Sequence, residues 1–108
     1  MAVVRAVITL PAAVRPGEAF EVRATVAHAM ETGYRTGDDG ARLVRDLVRR
    51  FECRLDGELV FAADLHAAVA ANPYLSFWLR VDRPGELAFS WRGDHGFEHR
   101  ETRALKLA

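Results

Sequence analysis

The stretch Phe20-Glu21-Val22-Arg23-Ala24-Thr25-Val26-Ala27 decides the fold. Phe20, Val22, Ala24 and Val26 alternate with Glu21, Arg23, Thr25 and Ala27, a period of two that makes a strand with one buried face. The same period recurs on both sides of it. Upstream, Val4, Ala6, Ile8 and Leu10 alternate with Arg5, Val7 and Thr9, and Pro16-Gly17 marks the turn between the two runs. Downstream, Phe51, Cys53 and Leu55 alternate with Glu52, Arg54 and Asp56. Asp56-Gly57, followed by Leu59, Val60 and Phe61, is a hairpin signal, because both central residues of a type I′ turn need positive φ. Tyr74 to Val81 is aromatic and strand-like, and Pro84-Gly85 turns the chain into Leu87, Phe89 and Trp91. Gly93-Asp94-His95-Gly96 is a polar tip before a last strand from about Phe97 to Leu107.

Two segments break this rhythm. Glu31 to Gly40 is polar, rich in Gly and Asp, and reads as a long ordered loop. Leu43, Val44, Leu47 and Val48 have helical spacing, but over one turn only, leading into the next strand. Ala62 to Ala71 is alanine-rich and reads as a loop with a helical turn. About seven short, half-apolar strands require two sheets facing one another. The expected fold is therefore all-β, an immunoglobulin-like antiparallel β-sandwich forming one domain over residues 1–108. Trp78 and Trp91 are the largest side chains available to its core, with room for one of them to lie outside.

Composition narrows the function. Lys and Arg number 15, and so do Asp and Glu, so nothing in the charge suggests a nucleic acid or an anionic membrane as partner. A net charge of zero also gives little electrostatic protection against association. No run approaches the ~18–20 apolar residues of a membrane helix. Arg5 and Pro11 interrupt the N-terminal run, so no secretory signal is read there, and by itself this favours a cytoplasmic protein. The one cysteine, Cys53, rules out an internal disulfide and a cysteine-only zinc cage. In phase with Phe51 and Leu55, it is expected to pack as an inert structural residue with a raised pKa.

Catalytic chemistry finds no foothold. There is no Gly-x-Ser-x-Gly elbow, no glycine-rich phosphate loop, and no histidine beside Cys53 of the kind a blue-copper site needs. His95 and His99 are four apart, a helical ligand spacing, but they flank Gly96 in a hairpin tip. Neighbouring acids such as Asp38-Asp39 read as solvated loop. No catalytic residue, metal site or cofactor is expected. A metal-binding role is a distant reading, with His28, His95 and His99 as its first suspects.

The chemistry-bearing residues gather instead in His28-Ala29-Met30-Glu31-Thr32-Gly33-Tyr34-Arg35, which starts where the cleanest strand ends. Met, Tyr and Arg are enriched in interfaces, so His28, Met30, Glu31, Gly33, Tyr34 and Arg35 are candidates for partner binding. Asn72-Pro73-Tyr74-Leu75-Ser76-Phe77 is the second segment, with Asn72, Pro73 and Tyr74 as candidates; a plain turn opening a strand explains it equally well.

Together these segments resemble the SoxZ family, one subunit of the SoxYZ sulfur-carrier complex of thiosulfate-oxidising bacteria. The resemblance rests on His28-x-Met30-Glu31-Thr32-Gly33-x-Arg35, Asp39-Gly40, Phe51-x-Cys53-x-Leu55-Asp56-Gly57 and Asn72-Pro73-Tyr74-Leu75-x-Phe77. Pro84-Gly85, Trp91 and Asp94-x-Gly96 follow in the family's order. Ala29 and Leu43-Val44 depart from the common pattern, and Cys53 occurs in only some members. The resemblance implies an immunoglobulin-like sandwich and a tight heterodimer with SoxY, whose Gly-Gly-Cys-Gly-Gly arm carries the sulfur covalently while other Sox enzymes dock transiently. It implies a non-catalytic subunit, and a periplasmic one, exported with the signal-bearing SoxY. An isolated chain of this type is expected to expose an apolar interface of several hundred Å2, which leaves a homodimer open. The alternative reading is a SoxYZ-like sandwich acting as an adaptor in another redox system.

Overall fold

The computed structural model describes residues 6–27, 36–42, 46–65 and 74–108. Within them the chain forms seven strands: β1 (Ala6–Thr9), β2 (Phe20–Val26), β3 (Val48–Leu55), β4 (Glu58–Asp64), β5 (Tyr74–Leu79), β6 (Gly85–Gly93) and β7 (Glu98–Leu105). They make two antiparallel sheets, ordered β1-β2-β5 and β4-β3-β6-β7. The all-β sandwich is thus the observed fold. A single 3-10 turn, Asp94–Gly96, links β6 to β7. Among the described residues no helix is long and apolar enough to cross a membrane.

Alternation does what the pattern demands. In β2, Phe20, Val22, Ala24 and Val26 are all buried, while Glu21, Arg23 and Thr25 face outward. In β3 and β6, Phe51, Cys53 and Leu55 lie opposite Trp91, Phe89 and Leu87, all facing the other sheet. Phe51 is the hub of the aromatic core: its ring centroid lies 5.2 Å from Trp91, 5.8 Å from Phe77, 6.1 Å from Phe61 and 6.3 Å from Phe89. Phe77 of β5 stacks on Phe61 of β4 at 4.1 Å, which ties the open flank of one sheet to the other.

Turn chemistry follows from the same sequence. Asp56 and Gly57 both take positive φ (47° and 87°), so the β3–β4 hairpin has the expected turn. Burial pushes the Cys53 thiol up to about 12, as expected for a thiol held among apolar neighbours. Of the two tryptophans only Trp91 is in the core; Trp78 is 65% exposed on the outer face of β5.

Two boundaries differ from expectation. Strand β3 begins at Val48, where helical spacing predicted a turn, because Val48 pairs with Gly93 and its side chain is wholly buried. Strand β4 continues through Ala62, Ala63 and Asp64, where a loop was expected; these residues pair with Glu52, Phe51 and Arg50. Alanine has weak strand preference, and the cross-strand ladder overrides it. The remainder of both ambiguous segments, residues 43–45 and 66–71, lies outside the described residues.

Candidate functional site

The registers define two ends of the sandwich. Val14 bridges to Leu107, and the Gly17 amide donates to the Val81 carbonyl, so residues 14–17 join the far ends of β7 and β5. Asp56 donates its amide to Glu86 at this same end. At the other end Thr25 pairs with Tyr74, Arg50 with Asp64, Val48 with Gly93, and Arg92 with Glu98. The β2–β3, β4–β5 and β6–β7 connections are therefore rooted together there.

This geometry bears directly on the candidate residues. His28, Met30, Glu31, Gly33, Tyr34 and Arg35 belong to the β2–β3 connection, and Asn72 and Pro73 to the β4–β5 connection; all eight lie outside the described residues. Their roots are described. The first segment leaves β2 within two residues of Val26, and the second enters β5 at Tyr74, whose Cα partner is Thr25. Tyr74 itself is 57% exposed on the outer face.

The third connection is built to be rigid. A register shift between Val48 and Arg50 makes Arg49 the extra residue of a bulge, which aims its side chain at the β6–β7 tip. Arg49 Nε donates to Asp94 Oδ1 at 2.6 Å, and its second nitrogen to Oδ2 at 3.3 Å, a two-pronged grip on one carboxylate. Asp94 Oδ2 also accepts the Leu47 amide at 3.1 Å, while the Asp94 amide donates to the Leu47 carbonyl at 2.8 Å. A side chain at Gly93 would collide with that same carbonyl, which explains the glycine. His95 holds φ at 58°, an unusual value for a non-glycine residue, in the turn this clamp secures. The polar tip reads from sequence only as a solvated turn. Its role in holding the start of β3 depends on contacts 45 and 47 residues away in the chain.

His99 is not a tip residue but stands on β7, opposite Trp91. Its ring centroid is 5.9 Å from Trp91, and Nε2 meets Glu101 Oε1 at 2.9 Å. The bond from His99, with that from Arg103 at 3.1 Å, holds the Glu101 carboxyl below its ordinary range. On the outer face of β3, Arg54 and then Arg50 do the same for Glu52. On β2, the Ser76 hydroxyl and Arg23 do so for Glu21. All but the Ser76–Glu21 bond, which crosses from β5 to β2, join residues two apart on one strand, and each carboxylate is held by the donors beside it. Among the described residues no three of His, Cys, Asp and Glu group closely enough to hold a metal ion. The candidate metal residue His28 is outside them.

Comparison with solved structures supports the architecture. A superoxide reductase (neelaredoxin) from Ignicoccus hospitalis superposes with a TM-score of 0.75 at 17% identity, covering 95% of this chain and 79% of that one. The protein PH1083 of Pyrococcus horikoshii OT3 gives 0.60 at 16% identity, over 94% and 85%. The CARDB domain of the Pyrococcus furiosus protein PF1109 gives 0.52 at 10% identity, over 97% and 94%. At these identities the likeness is one of fold. No curated protein matches the chain significantly. The family model of the sulphur oxidation protein SoxZ matches residues 8–104, nearly the whole chain and all three connections rooted at the Thr25–Tyr74 end. The chain belongs to the SoxZ family, and is a subunit of a sulfur-oxidation (Sox) system.

Proposed function

We propose that this chain is the non-catalytic partner in a SoxYZ-type carrier complex, binding a SoxY chain and helping to present its cysteine arm to the Sox enzymes of thiosulfate oxidation. The observation that carries this reading is the pairing of Thr25 with Tyr74 in a chain matched by the SoxZ model throughout. It roots both segments rich in recognition residues, His28 to Arg35 and Asn72 to Tyr74, at one end of a rigid sandwich. A carrier arm has to be offered to several enzymes in turn, which suits recognition segments carried on a stable scaffold.

The chain's only thiol is poorly placed to carry sulfur. Cys53 is fully buried in the middle of β3, and its raised pKa leaves almost no thiolate at neutral pH. The carrier thiol therefore belongs to the partner. In this reading the complex works in the periplasm, and the chain is exported with a signal-bearing SoxY.

Co-expression with the cognate SoxY tests the proposal. Recovery of both chains as one stable complex on affinity purification through either subunit is the expected result. Independent elution of the two chains refutes it and favours an adaptor in another redox system. A neighbouring gene ending in Gly-Gly-Cys-Gly-Gly is the supporting genomic observation.

A further inference from the structure

Four strands bound the two sheets, and an edge strand recruits further strands unless something blunts it. Three of the four are guarded. Among the described residues strand β1 is four residues long. Strand β4 meets β3 across a register shift at Cys53/Arg54 and carries Glu58 and Asp64 at its ends. Strand β7 carries Glu98, Arg100, Glu101 and Arg103, and two of these, Glu101 and Arg103, share the side of the strand that ends in buried Leu105. Inward-pointing charge on an edge is a recognised guard against pairing.

Among the described residues strand β5 has no such guard. Tyr74-Leu75-Ser76-Phe77-Trp78-Leu79 contains no charge, proline, glycine or bulge, and its ladder to β2 runs unbroken from Tyr74 to Leu79. Among the described residues its other edge is unpaired. The strand also reads almost the same in both directions about Ser76: aromatic, apolar, serine, apolar, aromatic.

We propose that β5 is an assembly edge, pairing antiparallel with β5 of a second copy of this chain across a two-fold axis through Ser76. A strand pair keeps its faces only if outward residues oppose outward residues. Centring on Ser76 meets this condition. It sets Tyr74 against the partner copy's Trp78, Leu75 against its Phe77 and Ser76 against its Ser76, so both cores extend and both outer faces match. Tyr74 and Trp78 are 57% and 65% exposed, large exposures for aromatic side chains. Aromatic cross-strand pairs are among the most favourable, and here each would form twice.

Area sets the expected strength. With whole aromatic side chains of ~150–250 Å2, the exposed parts of four such rings amount to roughly 500 Å2. Backbone and flanking contacts bring the total toward the ~1,200 Å2 lower bound of stable interfaces, so the dimer is reversible, dissociating on the order of tens of micromolar. Zero net charge and an uncharged strand leave no long-range repulsion to oppose it. This inference stands apart from the heterodimer reading, because it concerns the chain alone.

Sedimentation velocity of the full chain, run without any partner from about 1 to 500 µM, gives the first test. A monomer–dimer equilibrium is expected, weakened about tenfold or more by Trp78→Lys, an exposed substitution whose fold is checked by circular dichroism. A second test needs no loss of stability. Ser76→Cys should form a disulfide-linked dimer on mild oxidation, because facing residues lie within disulfide reach, whereas Arg80→Cys, set far from its copy in this register, should not. A monomer throughout the range overturns the proposal. So does a dimer indifferent to Trp78→Lys, or equal cross-linking at positions 76 and 80. If β5 amides gain exchange protection only when a different protein is added, the edge belongs to that partner and the proposal falls.

Discussion

Thr25 and Tyr74 are Cα partners at the end of the β2–β5 ladder, so two segments separated by 36 residues in sequence spring from adjacent strand ends. The ladder itself is made by Phe20 to Thr25 of β2 and Tyr74 to Leu79 of β5. Replacing His28, Arg35 or Asn72 with alanine should therefore weaken SoxY binding, by about 1–2 kcal/mol where the residue is an energetic anchor, and leave the fold intact. Calorimetric titration with SoxY, alongside thermal melting of each variant alone, checks this. Variants that melt early, or that bind with undiminished affinity, count against a recognition role.

The clamp on the β6–β7 tip makes a stability prediction. Asp94 accepts from Arg49 and the Leu47 amide, and Asp94→Ala leaves that amide unpaired beside a bulge. A loss of about 1–3 kcal/mol is expected. In a chain of this size that lowers Tm by roughly 4–8 °C per kcal/mol. Asp94→Asn retains one acceptor and should lose less. Equal melting temperatures for the wild type and both variants would show that the clamp contributes nothing.

Phe51 and Trp78 give opposite expectations despite similar size. Phe51 is fully buried and touches four aromatic rings, so Phe51→Ala should cost about 3–5 kcal/mol, enough to unfold much of the chain. Trp78→Ala, at an exposed position, should change the stability of the dilute monomer by less than about 0.5 kcal/mol. Urea unfolding at low micromolar concentration separates the two. Similar losses from both would mean that Trp78 is packed, contrary to its exposure.

Cys53 predicts an inert thiol. A maleimide reagent at pH 8 should leave the folded protein unmodified and label it fully in denaturant. The folded-state pKa is raised above the ordinary value of 9.0 to about 12, so the unfolded chain ionises first. The associated stability is intact below pH 9 and is lost as pH rises from there through 12. Replacing Cys53 by alanine should flatten this alkaline loss. Rapid labelling of the native protein would contradict the burial.

Legibility in the sequence tracked locality. Where the alternation was clean, as from Phe20 to Val26, strand and buried face were both correct, and Asp56-Gly57 specified its own turn. Ala62 to Asp64 misled because alanine carries little local preference; its strand state comes from pairing with β3. Arg49 and Asp94 look like ordinary charged residues until a bulge brings them together across the fold. The candidate residues in 28–35 and 72–73 were legible as motifs, and what the structure adds is the shared location of their roots. Trp78, offered in sequence as a core candidate, is exposed, because in β5 it falls in phase with Tyr74 and Ser76 rather than with Phe77.

The association of this chain with its cognate SoxY is the most direct test of the central claim. Light scattering on an equimolar mixture reads it as a mass. The expected result is a 1:1 complex whose mass exceeds that of SoxY by 12.0 kDa, persisting on dilution to nanomolar concentration. Two separate species at micromolar concentration would contradict the account.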